Sequence, residues 1–218
     1  MKDEPFLQIS EIFYSIQGES SHAGYPCLFF RLSGCNLRCS YCDAKYTYEE
    51  PGNPTPLSAL LSEAARYPNA LIEITGGEPL LQEGVYPLME ALLAAGRTVL
   101  LETNGSLSIA RVPCEVVKIL DLKCPDSGMA EKMDLANLAL LAPRDEIKFV
   151  VSSRADYDWA RAMIAEHRLA EKAKLILSPV IGRLAPALLA QWLMDDALPA
   201  RIQLQLHTLL WPGMKRGV

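Results

Sequence analysis

The run from Ser33 to Asp43, Ser-Gly-Cys-Asn-Leu-Arg-Cys-Ser-Tyr-Cys-Asp, constrains this chain more than any other stretch. It places Cys35, Cys39 and Cys42 in a C-x3-C-x2-C spacing. Thiolates so close in sequence can wrap one metal centre. A 4Fe–4S cube has four irons, so three cysteines leave one iron without a protein ligand. An open coordination position separates a reactive metal site from a closed structural one. The competing reading is a small zinc knot of three cysteines and a histidine. Such knots add a second C-x2-C or H-x3-H pair, and none occurs.

The chain around this loop has 218 residues, half of them apolar, which suits one domain (1–218) with a large core. A formal net charge of −5 gives no electrostatic footprint for nucleic acid. The start, Met-Lys-Asp-Glu-Pro-Phe, is too polar for a secretory signal, and no run of about 18 apolar residues predicts a membrane span. The cytoplasm is the expected compartment. With three of its six cysteines in one loop, the chain does not read as a disulfide framework. Cys27, Cys114 and Cys124 are expected as free thiols rather than as a second cluster.

Alternation from Leu7 to Tyr14 predicts a strand, and Ser15-Ile-Gln-Gly-Glu-Ser-Ser a turn after it. Cys27-Leu-Phe-Phe-Arg-Leu predicts a strand that delivers the chain to the cysteine loop. Further strands are predicted at 71–75, 98–102, 116–120, 146–151 and 174–177. Helices are predicted at 56–67, 81–95, 135–141, 155–169 and 186–196. Thr55 is the expected N-cap and Pro56 the first-turn proline of the first; Gly96 stops the second. Ile202, Leu204 and Leu206 alternate, which predicts a last strand with His207 at its end. Strands alternating with helices indicate parallel βαβ units. Polar and glycine residues recur just after the strands, where parallel sheets carry their sites: Gly76, Gly77, Thr103, Gly105, Lys123 and Ser178. Six parallel strands are too few for an eight-fold barrel. The expected fold is therefore α/β, an open, partial TIM-like barrel of about six parallel strands. Ser106 to Pro113 leaves little room for a helix, so fewer helices than strands are expected. No repeat, low-complexity tract or linker is present.

The cysteine spacing, with Tyr41 before the last cysteine, resembles the radical S-adenosylmethionine superfamily. The resemblance implies that methionine amino and carboxylate groups chelate the fourth iron and that the reduced cluster cleaves the sulfonium to a 5′-deoxyadenosyl radical. Gly76-Gly-Glu-Pro resembles the glycine-rich strand end of that superfamily, where backbone carbonyls accept from the ammonium group. By itself a Gly-Gly pair is usually only a turn. Ser15-Ile-Gln-Gly-Glu, Arg31 and the tail from Gln205 to Val218 narrow the resemblance to the 7-carboxy-7-deazaguanine synthase family. Members convert 6-carboxy-5,6,7,8-tetrahydropterin to 7-carboxy-7-deazaguanine, with loss of ammonia, on the route to queuosine and other deazapurines. The resemblance implies abstraction of the C6 hydrogen, rearrangement, return of the hydrogen, then deprotonation with loss of ammonia.

Implied cofactor contacts are Tyr41, Cys42, Asp43, Gly76, Gly77, Glu78, Gly105, the Asp121-Leu122-Lys123 turn and Ser178. Implied substrate contacts are Ile16, Gln17, Gly18, Glu19, Arg31, Thr103, His207 and Val218. Arg31 reads either as a snorkelling edge arginine or as a bidentate partner for the substrate carboxylate. His207 reads as a structural histidine or a substrate contact. Val218 reads as a frayed terminus or as a carboxylate reaching the pocket, and Trp211 argues against fraying. The cluster loop is 33–47, and 205–218 is a substrate-capping tail. The family also implies a flavodoxin- or ferredoxin-type electron donor and a homodimer. Mg2+ on the substrate carboxylate is commonly held by Thr or Ser two residues after the last cysteine; here Ala44 has no side-chain oxygen. That leaves Asp43, Thr47, a backbone carbonyl, water and substrate, or weakened Mg2+ dependence.

Two other readings share part of the pattern: an activating enzyme that makes a glycyl radical on a partner protein, and a zinc-stapled binding module. Neither accounts for Gln17-Gly-Glu19, Arg31 and the tail together. Metal analysis of anaerobically purified protein is expected to find iron and sulfide in about equal amounts; zinc in their place would support the binding module.

Overall fold

The computed structural model describes residues 4–218. Nine strands build one sheet: β1 (Phe6–Ile16), β2 (Pro26–Leu32), β3 (Asn53–Pro56), β4 (Leu71–Gly76), β5 (Val99–Thr103), β6 (Val117–Leu122), β7 (Glu146–Val151), β8 (Lys174–Pro179) and β9 (Arg201–Ile202). Their order is β3-β1-β2-β4-β5-β6-β7-β8-β9. Neighbours from β2 to β9 run parallel, and β1 pairs antiparallel with both β2 and β3. The six expected parallel strands are β2 and β4 to β8. The sheet stays open, with β3 and β9 as its edges. Helices α1 (Tyr46–Glu49), α2 (Leu57–Ala65), α3 (Val85–Ala94), α4 (Arg154–Glu166), α5 (Pro186–Asp195) and α6 (Leu206–Leu210) are fewer than the strands among the described residues.

Period-two alternation gives the sheet two unlike faces. Ile72, Ile74, Leu101, Leu120, Leu122, Ile147, Phe149 and Leu177 share one core with Leu88, Met89 and Leu92 of α3 and Tyr157, Ala160 and Ile164 of α4. Burying each large apolar side chain stabilises the fold by about 1.5–3 kcal/mol. The residues between them, Glu73, Thr75, Glu102, Asp121, Lys148 and Ser178, line a cavity on the opposite face. The fold thus holds charge where a closed parallel sheet would be apolar on both sides.

Several elements depart from the sequence reading. Asn53–Pro56 is an edge strand on β1, with Leu7 opposite Thr55, so Thr55 caps nothing and α2 starts at Leu57. Prolines are tolerated there because an edge strand has one unpaired side. The helix expected from 81 begins at Val85, after a 3-10 turn at Pro79–Leu81. The helix expected at 135–141 is a 3-10 turn, Leu135–Ala139. Its Asn137 amide is drawn into the loop after β5, donating to the carbonyls of Gly105 (3.2 Å) and Leu107 (2.9 Å). Strand β6 runs on to Leu122, so Asp121 and Leu122 lie inside the strand rather than in a turn. The last predicted strand stops at Ile202, and His207 belongs to α6. Gly18 diverts that chain, its carbonyl accepting from Gln203 Nε2 (2.9 Å) and from Leu206 N (3.3 Å).

The end of β4 meets the cysteine loop backbone to backbone. Gly77 N donates to Leu32 O (3.2 Å), and Glu78 N to Gly34 O (2.8 Å). A Cβ on Gly77 would lie 1.8 Å from Gly34 O, and one on Gly76 2.6 Å from Leu32 O. Gly77→Ala must therefore push the cysteine loop away. We expect a loss of about 1–3 kcal/mol in unfolding of the iron-free protein, together with reduced iron per chain after reconstitution.

Candidate active site

The cavity on the polar face measures about 850 Å³, within the span of about 300–1,000 Å³ usual for ligand pockets. Cys35, Cys39 and Cys42 are free thiols on its wall. Their loop is tied down by main chain, Gly34 N to Thr47 O (2.6 Å) and Ser40 N to Ser127 O (3.0 Å). Asn104 Nδ2 donates to Asn36 Oδ1 (3.1 Å) and approaches Cys35 Sγ (3.8 Å). Burial pushes the Cys39 and Cys42 thiols up, and Lys123 pulls both back. Among the described residues, the set of three potential ligand atoms lying within 4.8 Å of one another is Glu19, Asp43 and His207, not the three sulfurs.

Gly76 and Gly77 border the cavity, as do Tyr41, Cys42, Asp43, Asp121, Lys123 and Ser178. Tyr41 Oη donates to Val150 O (3.1 Å), and Ser178 Oγ to Gln203 O (2.6 Å). Lys123 Nζ sits 2.6 Å from Asp121 Oδ2, while Asp121 Oδ1 is buried with no partner. That orphan acceptor on the wall is a ready partner for a ligand hydroxyl. Three expected cofactor residues do not reach the cavity. Leu122 and Gly105 are buried behind it. Gly105 has φ +73° and gives its carbonyl to Asp134 N (2.9 Å). Glu78 is fully buried, and its carboxylate accepts from Leu80 N (3.0 Å), Thr103 Oγ1 (2.8 Å) and Asn104 N (2.7 Å). It clamps the ends of β4 and β5 together. Burial raises its pKa against those three donors.

On the other wall lie Ile16, Gln17, Gly18, Glu19, Arg31, Thr103, His207 and Val218. Gln17 spends its amide internally: Oε1 accepts from Glu19 N (2.9 Å) and Ser20 N (3.0 Å), and Nε2 donates to Glu73 Oε2 (2.9 Å). It shapes the loop that presents Glu19. The Thr103 hydroxyl is likewise engaged by Glu78. Arg31 Nε is buried without a hydrogen-bond partner, 3.8 Å from Glu11 Oε2. Glu19 meets Lys148 Nζ (3.0 Å), Gln205 Nε2 (3.1 Å) and His207 Nδ1 (3.7 Å). Thr47 is buried, its hydroxyl donating to Ala44 O at 2.7 Å. The tail is pinned by Gly217 N to Glu11 Oε1 (2.7 Å) and by the Arg216–Glu50 pair.

Sequence reasoning missed Glu73, Glu102 and Lys148. Their signal was a charged residue at period two inside an apolar strand, as in Ile72-Glu-Ile74 and Ile147-Lys-Phe149. Lys148 Nζ touches Glu102 Oε1, Glu19 Oε2 and Asp121 Oδ2. Burial works against its ammonium, yet these carboxylates hold its pKa well above the usual value. Burial also pushes Glu102 up, but Lys148 overrides it and holds that carboxyl low. Burial, and after it the charge of Glu102, push Glu73 up to about 8. A carboxyl raised on folding contributes stability in full below its unfolded pKa and loses it as pH climbs through the folded pKa. The iron-free protein is therefore expected to lose Tm between about pH 4.5 and 8 on this account, and Glu73→Gln to flatten that slope in thermal unfolding.

Residues 31–168 match the Radical SAM superfamily. The chain is 49% identical to the 7-carboxy-7-deazaguanine synthase of Chlorobaculum tepidum over 100% of both chains. It is 44% identical to the synthase of Koribacter versatilis, over 97% of this chain and 100% of that one. Among solved structures, QueE from Escherichia coli superposes with a TM-score of 0.76 at 23% identity, over 92% of this chain and 94% of that one. SuiB from Streptococcus suis bound to precursor peptide SuiA gives 0.57 at 14% identity, over 84% and 49%. These two likenesses concern the fold. The full-length identities, with the superfamily match across the cysteine loop, place this chain in the 7-carboxy-7-deazaguanine synthase family of radical S-adenosylmethionine enzymes.

Proposed function

We propose that this chain converts 6-carboxy-5,6,7,8-tetrahydropterin to 7-carboxy-7-deazaguanine, releasing ammonia. The observation that carries the reading is that one cavity joins the three-cysteine loop to Arg31, Glu19 and His207. When bound, the 4Fe–4S cluster and S-adenosylmethionine would supply the hydrogen-abstracting chemistry, directed at C6 of the substrate. Cys35, Cys39 and Cys42 hold the cluster. The main chain at Gly76 and Gly77 receives the methionine ammonium, and the unpaired Asp121 Oδ1 receives a ribose hydroxyl. Tyr41 borders the adenine. Arg31 turns its free Nε to the substrate carboxylate, where a guanidinium binds bidentately. Glu19, His207 and Gln205 read the pterin edge, and a buried partner left unpaired there costs about 1–3 kcal/mol. Gln17 acts through Glu19 rather than on the substrate.

In this reading residues 1–218 work as one domain, and 205–218 caps the substrate. The electron donor is a small flavodoxin or ferredoxin, and the enzyme is a homodimer. An enzyme that activates a glycyl-radical partner is not favoured, because the full-length relatives are synthases. No helix among the described residues is long and apolar enough to cross a membrane.

Magnesium fits this site poorly. Ala44 offers no side-chain oxygen, and the Thr47 hydroxyl is buried and donates to Ala44 O. The Glu19, Asp43 and His207 atoms gather closely, but Lys148 occupies Glu19 and opposes a second cation. Asp43, the lone pairs of Thr47 Oγ1, a backbone carbonyl, water and substrate remain as oxygen ligands. We therefore expect weak dependence on Mg2+. The test is anaerobic turnover with reconstituted cluster, dithionite, S-adenosylmethionine and 6-carboxytetrahydropterin, with and without Mg2+, read by mass spectrometry. The expected product is 7-carboxy-7-deazaguanine in both arms. 5′-Deoxyadenosine with unchanged pterin would overturn the substrate assignment. Stimulation by Mg2+ as large as that of a threonine-bearing relative would overturn the weak dependence.

A further inference from the structure

Two carboxylates outside the expected set face the cavity from neighbouring strands, Glu73 on β4 and Glu102 on β5. Glu73 is 2% exposed, and the Glu102 side chain, 22% exposed, lines the same cavity. Their partners differ in kind. Glu102 receives the Lys148 ammonium on Oε1 and the Thr75 hydroxyl on Oε2 (3.2 Å). Glu73 receives only the Gln17 amide, on Oε2, which leaves Oε1 for a proton. A cation beside one carboxyl and none bonded to the other drive them to opposite protonation states, and such pairs divide the work of acid and base.

The reaction proposed above needs both. It turns two saturated ring carbons of the substrate into a carbon–carbon double bond and expels a ring nitrogen. Once the abstracted hydrogen has returned, that change is redox-neutral. A C–H bond gives its electron pair to the new double bond and its proton to a base. The C–N bond breaks with its pair on nitrogen, which takes a proton from an acid and leaves as ammonia. We propose that Glu102 is the base and Glu73 the acid of this elimination, a step that rests on the proposed reaction. Afterwards Glu102 is neutral and Glu73 ionised, and transfer of one proton from the first to the second resets the pair. The other charged or titratable groups around them are Arg31 and Cys27 from β2, Asp121 from β6 and Lys123 just after it, Lys148 from β7, and Glu19 from the loop after β1.

The experiment uses substrate deuterated at C6 and follows two readouts in the reconstituted enzyme. Deuterium in recovered S-adenosylmethionine reports abstraction and return; 7-carboxy-7-deazaguanine reports elimination. Glu102→Gln and Glu73→Gln are expected to keep labelling within about threefold of the parent while product formation falls about 100-fold or more, the usual contribution of a positioned acid or base. A species isomeric with the substrate should accumulate in quenched samples. Glu102→Asp keeps the carboxylate and is expected to slow product more than labelling, so it serves if the amide variant fails to take up iron. Product at the parental rate in either amide variant overturns the assignment. So does a parallel fall of labelling and product at normal iron content. If the parent enzyme itself transfers no deuterium, the proposed reaction fails rather than the acid–base pair.

Discussion

The contact on which the site's charge arrangement depends is the enclosed ammonium of Lys148. It bridges Glu19, Glu102 and Asp121, which come from a loop and two separate strands. An ionised carboxylate out of water costs several kcal/mol unless a partner compensates it. Around Lys148, with Glu73 neutral, the carboxylates of Glu19, Glu102 and Asp121 face the cations of Arg31, Lys123 and Lys148, so opposite charges are interleaved on this part of the wall. Because Asp121 comes from β6 and Glu19 from the loop after β1, the same lysine ties the strand floor of the cavity to that loop.

The strand ends around the cysteine loop are positioned mainly by backbone. Gly77 and Gly34 approach too closely for a side chain at Gly77. The Glu78 carboxylate gathers donors from its own turn and from the end of β5. Pro79 then opens a 3-10 turn at a position where a missing N–H costs nothing. Each residue of Gly76-Gly-Glu-Pro thus has a structural task, and only its glycines meet the cavity. A motif can mark a binding site through residues that never touch the ligand.

Much of the fold was legible because its parallel strands are short apolar runs with glycine or polar residues at their ends. The cysteine loop was legible because its spacing is rare and its chemistry narrow. Illegible were features that depend on residues far apart in sequence. Leu135 to Leu141 carries helical spacing, yet Asn137 is held by the loop after β5. Leu204 and Leu206 alternate with polar neighbours, yet Gly18 draws the chain off the sheet. Gln17 and Glu78 have the chemistry of ligand contacts, and only the fold reveals that nearby backbone donors had already claimed their oxygens. Glu73, Glu102 and Lys148 were hidden for a different reason. Inside an apolar strand a single charge is as consistent with an exposed face as with a cavity, and the closure of the loop over the sheet decides between them.

Glu11 links the tail to Arg31. One of its carboxylate oxygens accepts from Gly217 N, and the other lies 3.8 Å from Arg31 Nε and 3.3 Å from Tyr46 Oη. One carboxylate therefore serves both the tail and the guanidinium, through different oxygens. A carboxylate entering the cavity competes with Glu11 for Arg31, at a buried nitrogen that has no hydrogen bond to lose. The incoming anion gains a full charge-assisted bond there, while Glu11 keeps its bond to the tail. An anion can thus reach Arg31 without loosening the tail, and a seated tail keeps water from that side of the cavity.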